Sequence, residues 1–539
     1  MKNEQRMGQN AAGITICLLL LLSLAGCGGG GGSSQVTVSG AVEYEDKEYG
    51  TTGFTGKTYY KAVRFAEVQA VNAASGLTIA TGTTDASGLY TLTLPSSSTI
   101  YIRVISSASS PLSATIPLVS VKSISSVLYA VAGSTFTALG TAMANISIPV
   151  TSPAAGAFNI LDVFTSGAEF VQSLSGGSYP PAVAAFGQTE NAKGTYYCTG
   201  SDLNYCVGGE GVYVLNYGGD TDEYDDDVLW HEYAHFIAAK YSKDDSQGGV
   251  HYLTSNDLDL RLTWSEGWGS FFPGAVKTWL APALLSTVPA MATTVYVDTS
   301  GGSGWSFDFG NPGGSLYIYA SNEAAVAKVL IGLRSIHGMQ AVWDVFTSSY
   351  VKTATVAAPV VNLEVFWDAW NLLGKPDITA ILSERLIRYS ADTYEPGDDT
   401  ANAARLAGVN GSAENHTLYG SADVDYIAFA ATAGPQYTVR TRLLKNGADT
   451  VIRIIAPDQI TPVANASNDN TNGAIYTGTA VPCTPLTNEC HENGYDILGS
   501  TKSFTVTAPG TYYVEVKSSP NRPLSAGRYG EYSLTITSP

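Results

Sequence analysis

The sequence predicts a multidomain chain with a mostly helical α+β centre flanked by two β-sandwiches. Three observations carry this reading. At 539 residues the chain exceeds one ordinary domain and suggests about three. Period-two alternation dominates residues 35–150 and returns in 393–539, whereas helical periodicity dominates 151–392. Hydrophobic residues make up 45% of the chain and aromatics 10%, enough for packed cores and not the composition of a disordered protein.

The N-terminus speaks to the compartment. Lys2 and Arg6 precede an apolar run from Ile14 to Leu22, too short for a membrane span and suited to a signal-peptide core. It ends in Leu24-Ala25-Gly26-Cys27, which resembles the bacterial lipobox. That resemblance implies cleavage before Cys27, lipidation of Cys27, and residues 28–34 as a Gly-rich tether. A plain secretory signal with an incidental cysteine is the alternative. No Asp follows Cys27, so the expected place is the bacterial outer membrane or cell surface, lipid-anchored and not spanning. The balance of 28 Lys+Arg against 47 Asp+Glu, a formal charge of −19, argues against a nucleic-acid partner, which needs a basic footprint.

Beyond Cys17 and Cys27 four cysteines remain, in two close pairs: Cys198 with Cys206, and Cys483 with Cys490. Neither pair has the Cys-x-x-Cys spacing of a structural zinc site, although His491 adjoins the second. In an oxidising compartment both read as local disulfides stapling short polar loops.

Residues 35–150 carry short alternating strands, as in Gln35 to Val42, Ala66 to Val71 and Leu89 to Leu94. Thr84-Asp85-Ala86-Ser87-Gly88 reads as a hairpin turn, with Gly88 supplying positive φ. The pattern from Thr83 to Tyr90 resembles the carboxypeptidase regulatory-like β-sandwich, which implies a spacer or binding module without catalysis.

Within 151–392, apolar residues at 157, 160, 161, 164, 168 and 171 mark one helical face. Gly211 to Gly218 reads as a strand that an extended substrate could pair with. The acidic run Asp220 to Asp227 follows, and its favoured reading is capping and dipole compensation for the next helix. Cation binding or orientation of a metal ligand is the alternative. That helix, 226–240, holds His231-Glu232-Tyr233-Ala234-His235. Histidines four apart share one face, so both imidazoles can reach one tetrahedral Zn²⁺, with Glu232 placed to take a proton from water. The helix is apolar around most of its circumference and so expected to be buried, which makes unpartnered polar groups inside it costly. Downstream, Thr263 to Phe272 is a second apolar stretch bearing one acid, Glu266, beside Gly267 and Gly269, which would allow the two helices to approach closely.

His-Glu-Tyr-Ala-His at 231–235 with Trp-Ser-Glu-Gly-Trp at 264–268 resembles the gluzincin metallopeptidases. The resemblance implies a zincin-like catalytic domain acting on a protein or peptide substrate. It makes His231, His235 and Glu266 the zinc ligands and Glu232 the general base. Two departures leave the family within that group open. Tyr241 to Asp259 looks like an inserted loop, and Ser270 stands where thermolysin-like enzymes carry Asp. Candidate oxyanion donors are His251, Tyr317 and Tyr319. Further helices are expected at 322–336, 338–350, 363–373 and 378–389.

Glu395-Pro396-Gly397-Asp398-Asp399 opens the last domain, followed by strands at Asp423–Phe429, Gly510–Val516 and Tyr532–Ile536. This pattern resembles the bacterial pre-peptidase C-terminal domain, which implies a β-sandwich, sometimes with Ca²⁺. Glu395, Asp398, Asp423 and Asp425 are the candidate calcium ligands, with solvated turn acids the favoured reading. The expected function is a zinc endopeptidase of the cell envelope. The rivals are a surface binding or adhesion protein with a vestigial peptidase core, and a zinc hydrolase of non-peptide bonds.

Overall fold

The computed structural model describes residues 34–539 apart from 188–190, 203, 250, 257, 285–292, 300–303, 315, 354–359, 406–407, 421, 470–497 and 522–526. Cys27, the tether through residue 33 and the Cys483/Cys490 pair lie outside the described residues.

The N-terminal strands form two sheets. In the first, the long strand Gln35–Gly50 pairs with Gly53–Ala62 and with Leu89–Pro95. Its alternation turns Val36, Val38, Val42 and Tyr44 inward, as period two requires. Gly88 takes a φ of 74°, and a β-carbon there would meet the Val42 carbonyl oxygen at 2.5 Å, so the hairpin needs glycine at this place. The second sheet runs in the order 196–198, 211–214, 183–187, 113–122, 99–110, 66–72, 78–83. It crosses residue 150, because strand Val183–Gly187 pairs in parallel with Ser113–Lys122. The change of texture at that residue is therefore not a gap between two bodies.

Helix α1 (Ala155–Leu174) shares one hydrophobic core with this sheet. Arg64 bridges from the N-terminal layers to Asp162 at 2.7 Å and Glu169 at 2.6 Å on α1. Next come α2 (Asp226–Tyr241) and α3 (Leu260–Leu284), packed on each other, then α4 (Glu323–His337), α5 (Met339–Phe346), α6 (Ser349–Thr353), α7 (Leu363–Leu372) and α8 (Thr379–Ser383). Asn322 and Asn362 cap α4 and α7, accepting from Ala325 N at 2.9 Å and Val365 N at 3.1 Å. The helix expected over 378–389 stops after α8. Leu386 turns to a φ of 54°, and Ile387 and Tyr389 then bury.

Residues beyond 400 form a β-sandwich-like domain of two antiparallel-rich sheets with its own core. It is seated on the helical region. Asn446 accepts from Ala320 N at 2.8 Å and donates to Leu386 O at 3.0 Å. Glu364 of α7 accepts from the backbone of Arg528 and Tyr529, each at 2.9 Å. No helix among the described residues is long and apolar enough to cross a membrane.

Candidate metal centre

Helix α2 is held from all sides, as its apolar circumference demands. Leu229, Tyr233, Phe236 and Ile237 are buried. Trp230 donates its indole N–H to Val163 O of α1 at 2.9 Å, and Trp268 of α3 donates to Ala234 O at 3.1 Å. The capping expected of the acids before α2 is not what they do. Asp225, at the cap position, makes no side-chain bond to the helix. Instead Asp225 accepts from Thr299 N at 3.0 Å, Asp226 from Asn159 Nδ2 at 3.0 Å, and Asp227 from Val297 N at 2.9 Å and Lys277 Nζ at 2.8 Å. These buried acids fasten the start of α2 to three other elements. Burial pushes Asp225 up to about 8 and Asp226 up to about 7.

One turn further along, three ring and carboxylate atoms converge. His231 Nε2 lies 3.1 Å from Glu266 Oε2, His235 Nε2 lies 3.2 Å from His231 Nε2, and His235 Nε2 lies 3.7 Å from Glu266 Oε2. The donor set suits zinc: two imidazole nitrogens and one carboxylate oxygen with a side open to the cleft. With each ring carrying its proton on Nδ1, two Nε2 lone pairs face each other at 3.2 Å, and a cation between them would satisfy both. His235 is also prepared from behind. Its Nδ1 lies 3.2 Å from Ser265 Oγ, which in turn donates to Asp244 Oδ2 at 2.7 Å. A donor Nδ1 leaves Nε2 with its lone pair towards the ligand position. Nδ1 of His231 is buried without a hydrogen-bond partner among the described residues, and packing holds its ring, edge-on to Tyr296 at 6.0 Å. Burial opposes charge on Glu266 and on His235. Their mutual attraction wins on both sides, so the Glu266 carboxyl falls well below its ordinary value and the His235 imidazole rises well above its own.

Glu232 points into the same cleft, and one of its oxygens accepts from Tyr197 N at 2.7 Å. Burial raises its carboxyl, with the two histidines pulling it back. Tyr197 belongs to strand Tyr196–Cys198, which among the described residues pairs on one side only, with Gly211–Val214. Strand Gly211–Val214 is occupied on both sides, by 183–187 and 196–198, and ends before a separate hairpin of Asn216–Tyr217 with Asp220–Thr221. It is therefore not a free edge; strand 196–198 is the one that ends the sheet. The Cys198–Cys206 disulfide closes the loop after that edge strand.

His251 comes from the loop between α2 and α3. Its Nε2 lies 3.8 Å from Glu266 Oε2 and its Nδ1 lies 2.7 Å from Glu323 Oε2 on α4. Burial pulls the ring down, but the Glu323 contact prevails and holds it up at about 9. Tyr317 lines the cleft beside Phe307, at 5.0 Å between rings. Tyr319 does not line it: its backbone N–H pairs with Arg385 O and its ring lies under Lys445, at 5.5 Å. Tyr319 is thus excluded as an oxyanion donor by position. Tyr296, Asp244 and Tyr197 are contributors that sequence patterns did not single out. Asp244 sits in the long loop, Tyr197 acts through its backbone, and Tyr296 lies on a four-residue strand, Val295–Asp298. Nothing in their local spacing marks them.

In the last domain, Glu395, Asp398 and Asp423 each offer an oxygen within 4.8 Å of the others. Asp425 does not join them: it accepts from Tyr532 Oη at 2.6 Å.

No family model matches the sequence, and no curated protein matches it. Among solved structures, the pre-peptidase C-terminal domain of a collagenase from Bacillus anthracis is 17% identical, covers 25% of this chain and 93% of its own, with a TM-score of 0.16. A periplasmic inhibitor of g-type lysozyme from Aeromonas hydrophila, PliG, is 14% identical over 25% of this chain and 96% of its own, with a TM-score of 0.16. A surface-associated copper-binding protein of Methylomicrobium album BG8, CorA, is 11% identical over 25% of this chain and 100% of its own, also with a TM-score of 0.16. At these scores none of the three carries an assignment.

Proposed function

We propose that the chain is a zinc metalloendopeptidase of the bacterial cell envelope, lipid-anchored through Cys27. The observation that supports it most is the convergence of His231, His235 and Glu266 within 3.1–3.7 Å, beside the buried Glu232. Zinc in such a site makes water acidic enough to ionise near neutral pH and polarises a carbonyl. The chain's own residues do the rest. Glu232, raised by burial and steered by the Tyr197 N–H, accepts the proton of the attacking water and returns it to the leaving amine. His251, backed by Glu323, is placed to donate from Nε2 to the oxygen on which negative charge develops. The outward Tyr197 carbonyl on the edge of strand 196–198 offers an acceptor to an extended peptide. Calcium at Glu395, Asp398 and Asp423 belongs to the same proposal as a structural ion.

Metal content and peptide-library cleavage, measured on wild type and Glu232→Gln, test the reading. The expected result is about one zinc in each protein, with cleavage by wild type and a loss of at least ~100-fold in the variant. A variant that keeps both zinc and full activity sinks the mechanism. Wild type that binds zinc and cleaves esters or glycans but no peptide would move the reading to a non-peptide hydrolase.

A further inference from the structure

The chain enters the N-terminal sheets at one end, where Ser34 O accepts from Ser96 N at 2.7 Å. Three turns close that end. Residues 73–77 turn from strand Ala66–Asn72 into strand Thr78–Thr83, and Ala73 N donates to Thr99 O at 2.9 Å. Pro95 to Thr99 joins the two sheets. Ala138 to Thr141 lies against it, with Ser97 N donating to Ala138 O at 2.8 Å. Register fixes the arrangement: Gln35 stands opposite Pro95, Asn72 opposite Ile100 and Thr99 opposite Thr137, so all three turns share one end of the strands.

Charge and polarity set this end apart. No Asp, Glu, Lys or Arg occurs in residues 34–40, 72–79, 94–99 or 136–143, in a chain of formal charge −19. The first charges met along the strands that leave it are Glu43, Glu67 and Arg103. Two leucines stand out into water on its turns: Leu77 is 67% exposed and Leu139 is 66% exposed. Ile79, two residues on from Leu77, is exposed as well. From here the strand Gln35–Gly50, sixteen residues long, runs roughly 50 Å. Past its far end comes Gly53, where a β-carbon would lie 2.9 Å from Gly304 N. Gly304 leads into an aromatic hairpin of Val295–Asp298 with Trp305–Asp308. That hairpin walls a second cavity of about 500 Å³, which shares His231, His251, Tyr296 and Asp298 with the metal cleft.

We infer that this uncharged end rests on the lipid surface, with Leu77, Ile79 and Leu139 in the interface and the long strand as a spacer that holds the metal cleft off the membrane. The inference rests on the lipid anchor of the proposed function and goes beyond it by naming the face that meets the bilayer. Seven residue steps separate Cys27 from Ser34, a reach of at most about 25 Å. An acyl chain on Cys27 therefore keeps this end near the bilayer. Docking then takes place within one tethered molecule, so a contact too weak to recruit a free protein suffices. The leucine and isoleucine side chains leave water for the headgroup–acyl boundary. Anionic lipid repels carboxylates within a Debye length of about 8–10 Å, and the turns of this end carry none.

The test places the lipid-modified chain, purified from a bacterial envelope, in vesicles of phosphatidylethanolamine and phosphatidylglycerol with brominated acyl chains, which quench tryptophan on contact. The native tryptophans all lie between residues 230 and 370, so a tryptophan added at this end is a separate reporter. The emission added by Leu139→Trp, and by Leu77→Trp, should fall by at least ~50% on brominated relative to plain vesicles, as expected for a side chain at the headgroup–acyl boundary. The emission added by Lys57→Trp, an exposed position towards the far end of the long strand, should not change. Adding Leu77→Glu to Leu139→Trp should cut the quenching at least ~twofold, because a carboxylate resists leaving water. Unquenched emission from both reporters, on protein that floats with the vesicles, overturns the inference and leaves the anchor standing. Quenching that Leu77→Glu leaves unchanged also overturns it, since the tether alone would then account for the contact. A purified chain with no acyl group on Cys27 by mass spectrometry overturns the anchor and this inference together.

Discussion

A β-carbon at Gly269 would lie 2.7 Å from both Cε1 and Nε2 of His231, so any side chain there pushes the imidazole off its place. The two glycines beside Glu266 serve different neighbours. Gly269 makes room for His231 on α2, while a β-carbon at Gly267 would strike Val326 on α4 at 2.6 Å. The expectation that both let α3 approach α2 is right for one of them only. Gly269→Ala should therefore spoil the ligand set with modest damage to the fold. Overpacking of this size costs about 1–3 kcal/mol, and a displaced Nε2 loses its alignment with His235 and Glu266. Zinc affinity measured by competition with a chelator should weaken at least ~10-fold, which is about 1.4 kcal/mol. Unchanged affinity would mean that His231 is not a ligand in the geometry described.

At the level of elements, α2 is placed by its acids. Asp225, Asp226 and Asp227 reach Thr299, α1 and α3 with the Val295–Asp298 strand, respectively, so one turn of chain fixes the metal helix and the aromatic hairpin together. Local pattern reading offered capping because three consecutive acids before an apolar helix fit that rule equally well. Only the partners, about 50 to 75 residues away in sequence, distinguish the two. A pH dependence follows. Burial raises the Asp225 carboxyl to about 8, against the opposing hydrogen bonds from Thr299. The folded chain then keeps a proton that the unfolded chain releases near about 3.9. This contribution to stability is full in acid and is lost as pH rises from about 4 through about 8. Wild-type Tm should fall more between about pH 5 and about pH 8.5 than the Tm of Asp225→Asn, followed by calorimetry. An equal or steeper fall in the variant would show that Asp225 does not hold its proton. The helix that carries His231 and His235 on one face was legible from its spacing, and Glu266 from being the one acid in an apolar stretch. The second cavity, Asp244 and the Tyr197 N–H were not, since a loop acid, a backbone donor and a four-residue strand carry no periodicity.

On the scale of the whole molecule, alternation located both β-rich ends but could not say what they join. The N-terminal layers continue into the region of the candidate metal centre through the strand pair 113–122 and 183–187, a parallel pairing whose partners are separated by α1. The C-terminal domain has its own core yet is fastened to α7 by a buried polar contact that no pattern announces. Glu364 is 1% exposed and accepts the N–H groups of Arg528 and Tyr529 at 2.9 Å each, while Asp368 accepts from Tyr529 Oη at 2.6 Å and from the Arg528 guanidinium. Gly527 has no room for a β-carbon because the Glu364 carboxylate occupies that space. Glu364→Ala leaves two buried N–H groups without that acceptor, at about 1–3 kcal/mol each. The two regions should then unfold separately, with the β-domain melting first. Urea unfolding followed by both tryptophan fluorescence and far-UV dichroism should show coincident transitions in wild type and divergent ones in Glu364→Ala. Because all eight tryptophans lie between residues 230 and 370, fluorescence reports the helical region. Glu364→Gln, which keeps one acceptor oxygen, should lie between the two. Coincident transitions in all three proteins would mean that the seam is carried by Asn446 and its partners instead.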